Sequence, residues 1–181
     1  MTALRADAQR NLGRILEAAS DAYAELGPDV TIDEIARRAG VGHGTVCRRF
    51  PTKDALRAAV IRARLDELLA RARELIEKPD AGAALEEFVW TAAESARRDR
   101  ALFEGIEQCS SFADVAAAKQ ELHETVNGLI RRAQQAGAVR DGLDARDVGA
   151  LVGAAIQASV HAERGDVWRR YVQVVLDGLR A

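Results

Sequence analysis

Apolar side chains recur every three or four residues along most of the chain, which is the spacing that places them on one face of an α-helix. The first such stripe predicts a helix over about residues 8–26, and Gly27-Pro28 ends it. The sequence contains no run of alternating β-branched residues, so no strand is predicted. The pattern indicates an all-α protein, with further helices over about 32–39, 44–50, 52–77, 81–99, 100–109, 112–136, 145–163 and 166–180.

Two of these predicted helices begin with capping signals. Thr31 stands before the second helix with Glu34 three residues later, and Asp144 stands before the eighth with Asp147 three residues later. In a capping box the first side chain accepts a hydrogen bond from a free backbone N–H of the helix, and the second accepts one from the backbone N–H of the capping residue. We therefore expect sharply defined starts at these two positions.

The segment 31–50 reads as two short helices joined by a tight turn. Ala36 lets the helices approach closely, Gly40 makes the turn, and Val46 packs back ten residues after Ala36. Glycine suits the turn because it takes a positive φ at little steric cost. This is a helix-turn-helix, and its second helix has the size that fits a DNA major groove.

Length and composition leave room for a second helical unit. The 181 residues are 48% hydrophobic and 30% charged, with only three prolines, which is enough apolar material for a core. Lys78-Pro79-Asp80 interrupts the helical pattern. The sequence thus predicts a helix-turn-helix domain over 1–53, a connecting helix over about 52–78, and a C-terminal domain over 79–181.

Charge is distributed unevenly along the chain. Residues 32–64 contain eight basic and three acidic side chains, a net charge of +5, while the whole chain carries −2 and the remainder therefore −7. A confined basic patch in an otherwise acidic protein predicts contact with a polyanion at one place.

Targeting and membrane signals are not evident. The N-terminus is too polar for a signal-peptide core, and the longest apolar tract, 148–160, is too short to span a bilayer. Cys47 and Cys109 fall in different predicted domains, so no disulfide framework is expected. We expect a cytoplasmic protein that does not enter membranes.

Residues 15–56 resemble the TetR family of bacterial transcriptional regulators. The matching segments are Ile15-Leu-Glu-Ala-Ala19, Thr31-Ile-Asp-Glu-Ile-Ala-Arg-Arg-Ala-Gly-Val41, Gly44-Thr-Val46, Arg49-Phe50 and Lys53-Asp-Ala-Leu56. The resemblance implies a homodimer that binds double-stranded DNA at a palindromic operator. It also implies a C-terminal helical domain that binds a small effector, whose identity the sequence does not disclose, and release of a repressor by that effector.

The resemblance also implies which residues meet DNA. Two of them depart from the family pattern: Cys47 replaces an aromatic residue that often touches a phosphate, and Gly42 replaces a capping serine. The implied DNA-contacting residues are Thr31, Gly42, His43, Gly44, Thr45, Cys47, Arg48, Arg49 and Lys53.

A mixed set of apolar and polar residues in the C-terminal helices suits an effector pocket with a few orienting groups. These residues are Phe88, Trp90, Phe103, Cys109, Phe112, His123, Gln157 and His161. Cys109, His123 and His161 lack a recognisable ligand spacing, so we predict no metal site and no other cofactor.

The last two predicted helices suit a dimer interface, because their small residues permit close approach of helices. The apolar area there comes from Val152, Ile156, Trp168 and Val172. The alternative is that these side chains are buried only against their own chain. A dimer would place two recognition helices one DNA turn apart, as a palindromic site requires.

Three functions remain open at this point. The first is a dimeric DNA-binding repressor that senses a small molecule. The second is a helical partner-binding protein that has lost DNA binding through the change at Cys47. The third is an enzyme that uses Cys47 or Cys109 with a histidine, although no glycine-rich phosphate loop or nucleophile elbow supports it.

Overall fold

The computed structural model describes residues 2–103, 113–160 and 165–181. Within them the chain forms nine α-helices, and the β-bridge between Val139 and Arg180 is isolated. The all-α prediction is confirmed. The helices are α1 Thr2–Leu26, α2 Ile32–Ala39, α3 His43–Arg49, α4 Lys53–Ile76, α5 Ala81–Arg98, α6 Arg100–Phe103, α7 Ala113–Gln135, α8 Ala145–Ser159 and α9 Val167–Leu179.

Most helix bounds agree with the apolar pattern to within one or two residues. The largest difference is at α1, which begins at Thr2 rather than near Ala8. Its early turns are polar, so no apolar stripe marks them in the sequence. The predicted ends of the helices that start at Arg100 and Ala145, near residues 109 and 163, lie outside the described residues. None of the described helices is both long and apolar enough to cross a membrane.

The chain divides into two compact units. Unit 1 contains Met1–Arg64 and Asp99–Ala116, and unit 2 contains Leu65–Arg98 and Ala117–Ala181. This division differs from the predicted boundaries at 53 and 79, because it falls inside the continuous helix α4. Leu56 and Ile61 near the start of α4 are buried residues of unit 1, whereas Ala72 and Leu75 near its end are buried residues of unit 2.

The core of unit 1 holds the helix-turn-helix together. Val46 of α3 is fully buried, as predicted from its spacing, and Ile35 of α2 is fully buried beside the turn. Gly40 ends α2 in the left-handed conformation, with φ 63°, and the Val41 N–H donates to the Ala36 carbonyl at 3.1 Å. The tight turn is therefore made by the one residue type that adopts this conformation without strain.

The start of α2 corrects one detail of the capping prediction. Thr31 Oγ1 accepts a hydrogen bond from the Glu34 N–H at 3.2 Å, as expected for a cap. The Glu34 carboxylate, however, accepts from Arg37 and Arg38 instead of closing the box. Paired guanidinium groups are stronger donors to a carboxylate than a backbone N–H.

Unit 2 is built mainly from α5, α7, α8 and α9. Asp144 and Asp147 form the predicted capping box at the start of α8. Asn127 on α7 adds a second tie, because its Oδ1 accepts from the Ala145 N–H at 2.8 Å. Trp168 of α9 packs edge-on against Trp90 of α5, with ring centroids 6.1 Å apart. These contacts fix the helices that carry the predicted effector site.

Candidate nucleic-acid interface

The short helix α3 has one buried and one exposed side. Val46 is fully buried, whereas His43, Arg48 and Arg49 are exposed. Gly42 caps the helix through its backbone, with no side-chain hydrogen bond, and its carbonyl accepts from the Thr45 N–H at 2.8 Å. Since only one side of α3 faces the core of unit 1, the polar side is presented to solvent.

The eight basic residues of the 32–64 segment are not equivalent, and the two on α2 bind carboxylates. Arg37 donates to Glu34 at 2.6 Å, and Arg38 donates to Glu34 and to Glu25 at 2.7 Å each. The hydrogen bonds from Arg37 and Arg38 lower the pKa of Glu34 from 4.5 to about 2. These two arginines are therefore engaged within the protein.

Three further arginines, all on α4, bind groups of their own unit. Arg57 donates to the Leu102 carbonyl at 2.8 Å, and Arg62 donates to the Asp114 carbonyl at 3.1 Å. Arg64 donates to Ser20 Oγ at 2.6 Å, beside the buried Asp99. These three guanidinium groups keep their charge, but they are held against groups of unit 1.

The remaining basic residues, Arg48, Arg49 and Lys53, form what we call the cationic face. Arg48 and Arg49 are exposed and Lys53 is partly exposed. Arg48 leans toward Thr45, with Nη2 3.4 Å from Oγ1. Lys53 is the first residue of α4, whose start is capped by Thr52 Oγ1 accepting from the Ala55 N–H at 3.0 Å. A lysine at the positive end of a 24-residue helix suits an anion such as phosphate.

A second feature of α3 joins three side chains. His43 Nδ1 lies 2.6 Å from Asp33 Oδ1 on α2, and His43 Nε2 lies 3.1 Å from Cys47 Sγ. The side chains of His43 and Asp33 are 56% and 80% exposed, so this cluster lies at the surface. The contact of His43 with Cys47 follows from their spacing of four residues, but no pattern in the sequence pointed to Asp33. An acidic residue in the first turn of a helix is common for helix-dipole reasons alone.

Two family models match this chain, one over each part of it. Residues 15–60 match the family model described as "Bacterial regulatory proteins, tetR family". Residues 80–181 match the model described as "Transcriptional regulator SbtR-like, C-terminal domain". The chain belongs to the TetR family of bacterial regulatory proteins.

Whole-length relatives agree with this assignment. An uncharacterized HTH-type transcriptional regulator of Mycobacterium tuberculosis is 32% identical over 157 residues, covering 83% of this chain and 80% of that one. The crystal structure of a TetR transcription regulatory protein from Mycobacterium vanbaalenii is 37% identical, with a TM-score of 0.75, and the match covers 98% of this chain and 99% of that one. A shorter match, 54% identical over 48 residues and 26% of each chain, is to an HTH-type transcriptional repressor of Mycobacterium tuberculosis.

The family settles the class of function. The protein is a DNA-binding transcriptional regulator with a TetR helix-turn-helix, and TetR-family regulators are not enzymes. Regulators of this family bind DNA and small-molecule effectors and act as dimers. The alternative of a thiol-dependent enzyme is thereby set aside.

Of the eight residues predicted for an effector pocket, the four whose side chains are described do not share one environment. Phe88 is buried in the core of unit 2, Gln157 is exposed on α8, and His123 is partly buried on α7. Burial lowers the pKa of His123, and the nearby charges of Lys119 and Arg146 lower it further. The side chain of Phe103, and Cys109, Phe112 and His161 entirely, lie outside the described residues.

Trp90 is the member of that set that lines a described groove of unit 2. The groove runs between α4 and α5 and has a volume of about 480 Å³. Its walls combine an aromatic ring, an aliphatic side chain, two hydroxyls and three charged groups. The lining residues are Glu67, Leu68, Trp90, Thr91, Glu94, Ser95 and Arg98.

The four residues predicted for the dimer interface are buried within the single chain. Val152, Ile156, Trp168 and Val172 are each at most 6% exposed, since α8, α9 and α5 pack together in unit 2. They are therefore not on an exposed surface, which matches the alternative that these side chains pack against their own chain. Other apolar residues are exposed here, namely Leu151 on α8, Val160 directly after α8, and Tyr171 and Val174 on α9. The part that α8 and α9 play in a dimer therefore stays a prediction, and the four named side chains are buried in the single chain.

Proposed function

We propose that this protein is a dimeric, sequence-specific repressor that binds a palindromic operator and is released from it by a small molecule bound in unit 2. The observation that carries the DNA-binding part is the orientation of α3. Its apolar side is fixed in the core by Val46, and its cationic side, with Arg48 and Arg49, faces solvent. The HTH-type repressor from Mycobacterium tuberculosis supports the direction of regulation.

The exposed groups divide into two proposed roles. Thr45 and Arg48 lie on the solvent side of α3, where an inserted helix meets base edges, together with Gly42, His43 and Gly44 at its start. Three residues are placed to meet phosphates: Lys53 at the start of α4, Arg49 at the end of α3, and Thr31 at the cap of α2. Cys47 on α3 is proposed to lie near a phosphate as well. Phosphate contacts fix the register of the protein, and base contacts select the sequence.

The proposed dimer forms through the exposed apolar residues of α8 and α9. Val174 is 69% exposed and Leu151 is 45% exposed, and both would lose contact with water on pairing. Gly149, Ala150 and Ala154 on the exposed side of α8 permit close approach of a second helix. Two α3 helices roughly 34–36 Å apart would read half-sites one turn apart.

The groove beside Trp90 is the proposed effector site among the described residues. Its volume of about 480 Å³ suits a small organic molecule, and its mixture of an indole ring with charged and hydroxyl groups provides both stacking and orientation. Because the proposed operator lies on the bacterial chromosome, the proposed place of action is the cytoplasm.

One selection experiment tests the operator proposal. The purified protein is incubated at physiological salt with a pool of random duplexes, and bound sequences are enriched over several rounds. We expect an inverted repeat with half-sites about one turn apart. The control is a chain with Arg48→Ala and Arg49→Ala, which should enrich nothing. An absence of enrichment by the natural chain would contradict the proposal.

The effector proposal is tested on the selected duplex. A metabolite collection is screened for release of the labelled duplex, and each active compound is then tested against Trp90→Ala. We expect this change to weaken release without changing DNA affinity in the absence of the compound. A compound that binds the groove and leaves DNA affinity unchanged would count against release by an effector.

A further inference from the structure

The cluster of Asp33, His43 and Cys47 is not explained by DNA recognition alone. A carboxylate accepts hydrogen bonds and does not donate them, so the hydrogen of the neutral imidazole lies on Nδ1, which faces Asp33 at 2.6 Å. His43 Nε2 is then an acceptor, and the Cys47 thiol 3.1 Å away donates to it. A nucleophile, a base and a residue that orients the base are thus arranged in a row.

We propose that Cys47 is a reactive thiol that forms mixed disulfides with low-molecular-weight disulfides, and that this modification switches off DNA binding. His43 acts as the base that removes the thiol proton, and Asp33 positions His43. This inference rests on the proposed DNA-binding function, because its consequence is the loss of that function.

The reaction is a thiol–disulfide exchange. His43 Nε2 takes the proton from Cys47 Sγ, and the resulting thiolate attacks one sulfur of the incoming disulfide. A new Sγ–S bond forms as the S–S bond of the reagent breaks. The departing sulfur leaves as a thiolate and takes the proton back from the imidazolium. Cys47 is oxidised and the released thiol is the reduced product, so the small disulfide is the only co-reactant.

The position of Cys47 connects this chemistry to regulation. The residue is partly exposed and directly precedes Arg48, a member of the cationic face. An adduct that carries carboxylates would add bulk and negative charge where the protein must meet phosphates. Negative charge there would repel DNA, and the two arginines would attract an anionic disulfide to the same place. Reduction by a thiol would restore the original surface.

The thiol itself is measured with an aromatic disulfide that releases a coloured thiolate, 5,5′-dithiobis(2-nitrobenzoic acid). Cys109→Ser leaves Cys47 as the only cysteine of this chain, which contains two. We expect one coloured thiolate per chain, at a rate that His43→Gln lowers by on the order of tenfold. Prior binding of the selected duplex should slow the same reaction by a similar factor. Should Cys109→Ser fail to fold, mass spectrometry of the modified natural chain locates the adduct instead.

Asp33 is tested by a readout specific to the tautomer of His43. Asp33→Asn should change the ¹⁵N shifts of the two ring nitrogens in NMR spectra and slow the thiol reaction. Unchanged ring-nitrogen shifts would show that Asp33 does not position His43, and would overturn that part of the proposal.

The consequence for DNA is measured with oxidised glutathione. We expect the affinity of the Cys109→Ser chain for its selected duplex to fall by at least about tenfold after treatment and to return after reduction with dithiothreitol. The chain with both Cys47→Ser and Cys109→Ser should show no response to oxidised glutathione. A thiol that reacts no faster than a free cysteine, or an adduct that leaves DNA affinity intact, would overturn the inference while the DNA-binding proposal stands. A reduced chain that selects no duplex would instead contradict the proposed function.

Discussion

The helix-turn-helix and the C-terminal helices of this chain differ in how far local sequence determines the exposed surface. In the first region a cap at Thr31, a turn at Gly40 and a buried Val46 fix which side of α3 faces out. In the second, the apolar side chains of α8 and α9 cover more than one face of each helix. Which of them are buried depends on where α5 packs. A recognition surface made by short-range geometry is therefore predictable, whereas one made by helix packing is not.

The largest effect should come from placing a charge at Val46, the buried residue of α3. We expect Val46→Asp to destabilise unit 1 by roughly 3–5 kcal/mol, because a carboxylate would be buried without a partner. Helical content measured by circular dichroism should fall and DNA binding should be lost. The matched change in the other region is Val174→Asp, at a residue that is 69% exposed. It should leave a folded chain and alter only the oligomeric state in gel filtration. If both variants unfolded alike, the contrast between the regions would be mistaken.

The next effect separates the cationic face from other surface lysines. We expect Lys53→Ala to weaken binding to all duplexes about equally, and to reduce the slope of log affinity against log salt by about 1. Lys119→Ala is the control, since Lys119 is an exposed lysine on α7 in unit 2. Fluorescence anisotropy at several salt concentrations gives both quantities. If the slope of log affinity against log salt were equal in the two variants, Lys53 would not be a phosphate contact.

A smaller and more discriminating effect compares the two helix caps. Thr31→Ala and Asp144→Ala should each lower the free energy of unfolding by about 1 kcal/mol, because each removes a side-chain acceptor at a helix start. Only Thr31→Ala should also weaken DNA binding, since Thr31 caps α2 of the helix-turn-helix. Urea denaturation and anisotropy of the same two variants provide the comparison. A loss of DNA affinity in Asp144→Ala of the same size would show that caps act through global stability.

The smallest effect is a pH dependence at α2. Arg37 and Arg38 lower the pKa of Glu34 to about 2 in the folded chain, against an ordinary value of 4.5. A lowered folded pKa stabilises the fold above the unfolded pKa, and this contribution is lost as the pH falls from about 4.5 to about 2. Glu34→Gln should therefore flatten the acid limb of the stability profile over that interval. A wild-type profile with the same shape as that of the variant would show that these ion pairs contribute nothing measurable, as exposed pairs often do.

The sequence predicted the helices well, for physical reasons that are local. Caps, a left-handed glycine and an i to i+4 spacing operate within one or two turns of chain. The contact between Asp33 and His43 spans ten residues and depends on how α2 and α3 cross. It could not be found from periodicity. The same holds for the arginines of α4, whose partners at Ser20, Leu102 and Asp114 are distant in sequence.

The residues predicted for an effector pocket illustrate a limit of reasoning from one helix at a time. The predicted set grouped aromatic and polar residues by composition, yet Phe88 is core and Gln157 is surface. The groove that we propose as the effector site combines Trp90 with residues of α4, such as Glu67 and Leu68, that the pattern placed in a connecting helix. The shape of a groove between two helices depends on the distance between them. The apolar pattern of one helix contains no information about that distance.

Hydrogen–deuterium exchange with and without the selected duplex tests the central claim most directly. That claim is that α3 and the start of α4 form the DNA-binding surface. We expect protection of backbone amides to concentrate in residues 42–53, with little change in α8 between Ala145 and Ser159 beyond that caused by dimer formation. Protection that leaves residues 42–53 unchanged and falls on unit 2 would contradict the account.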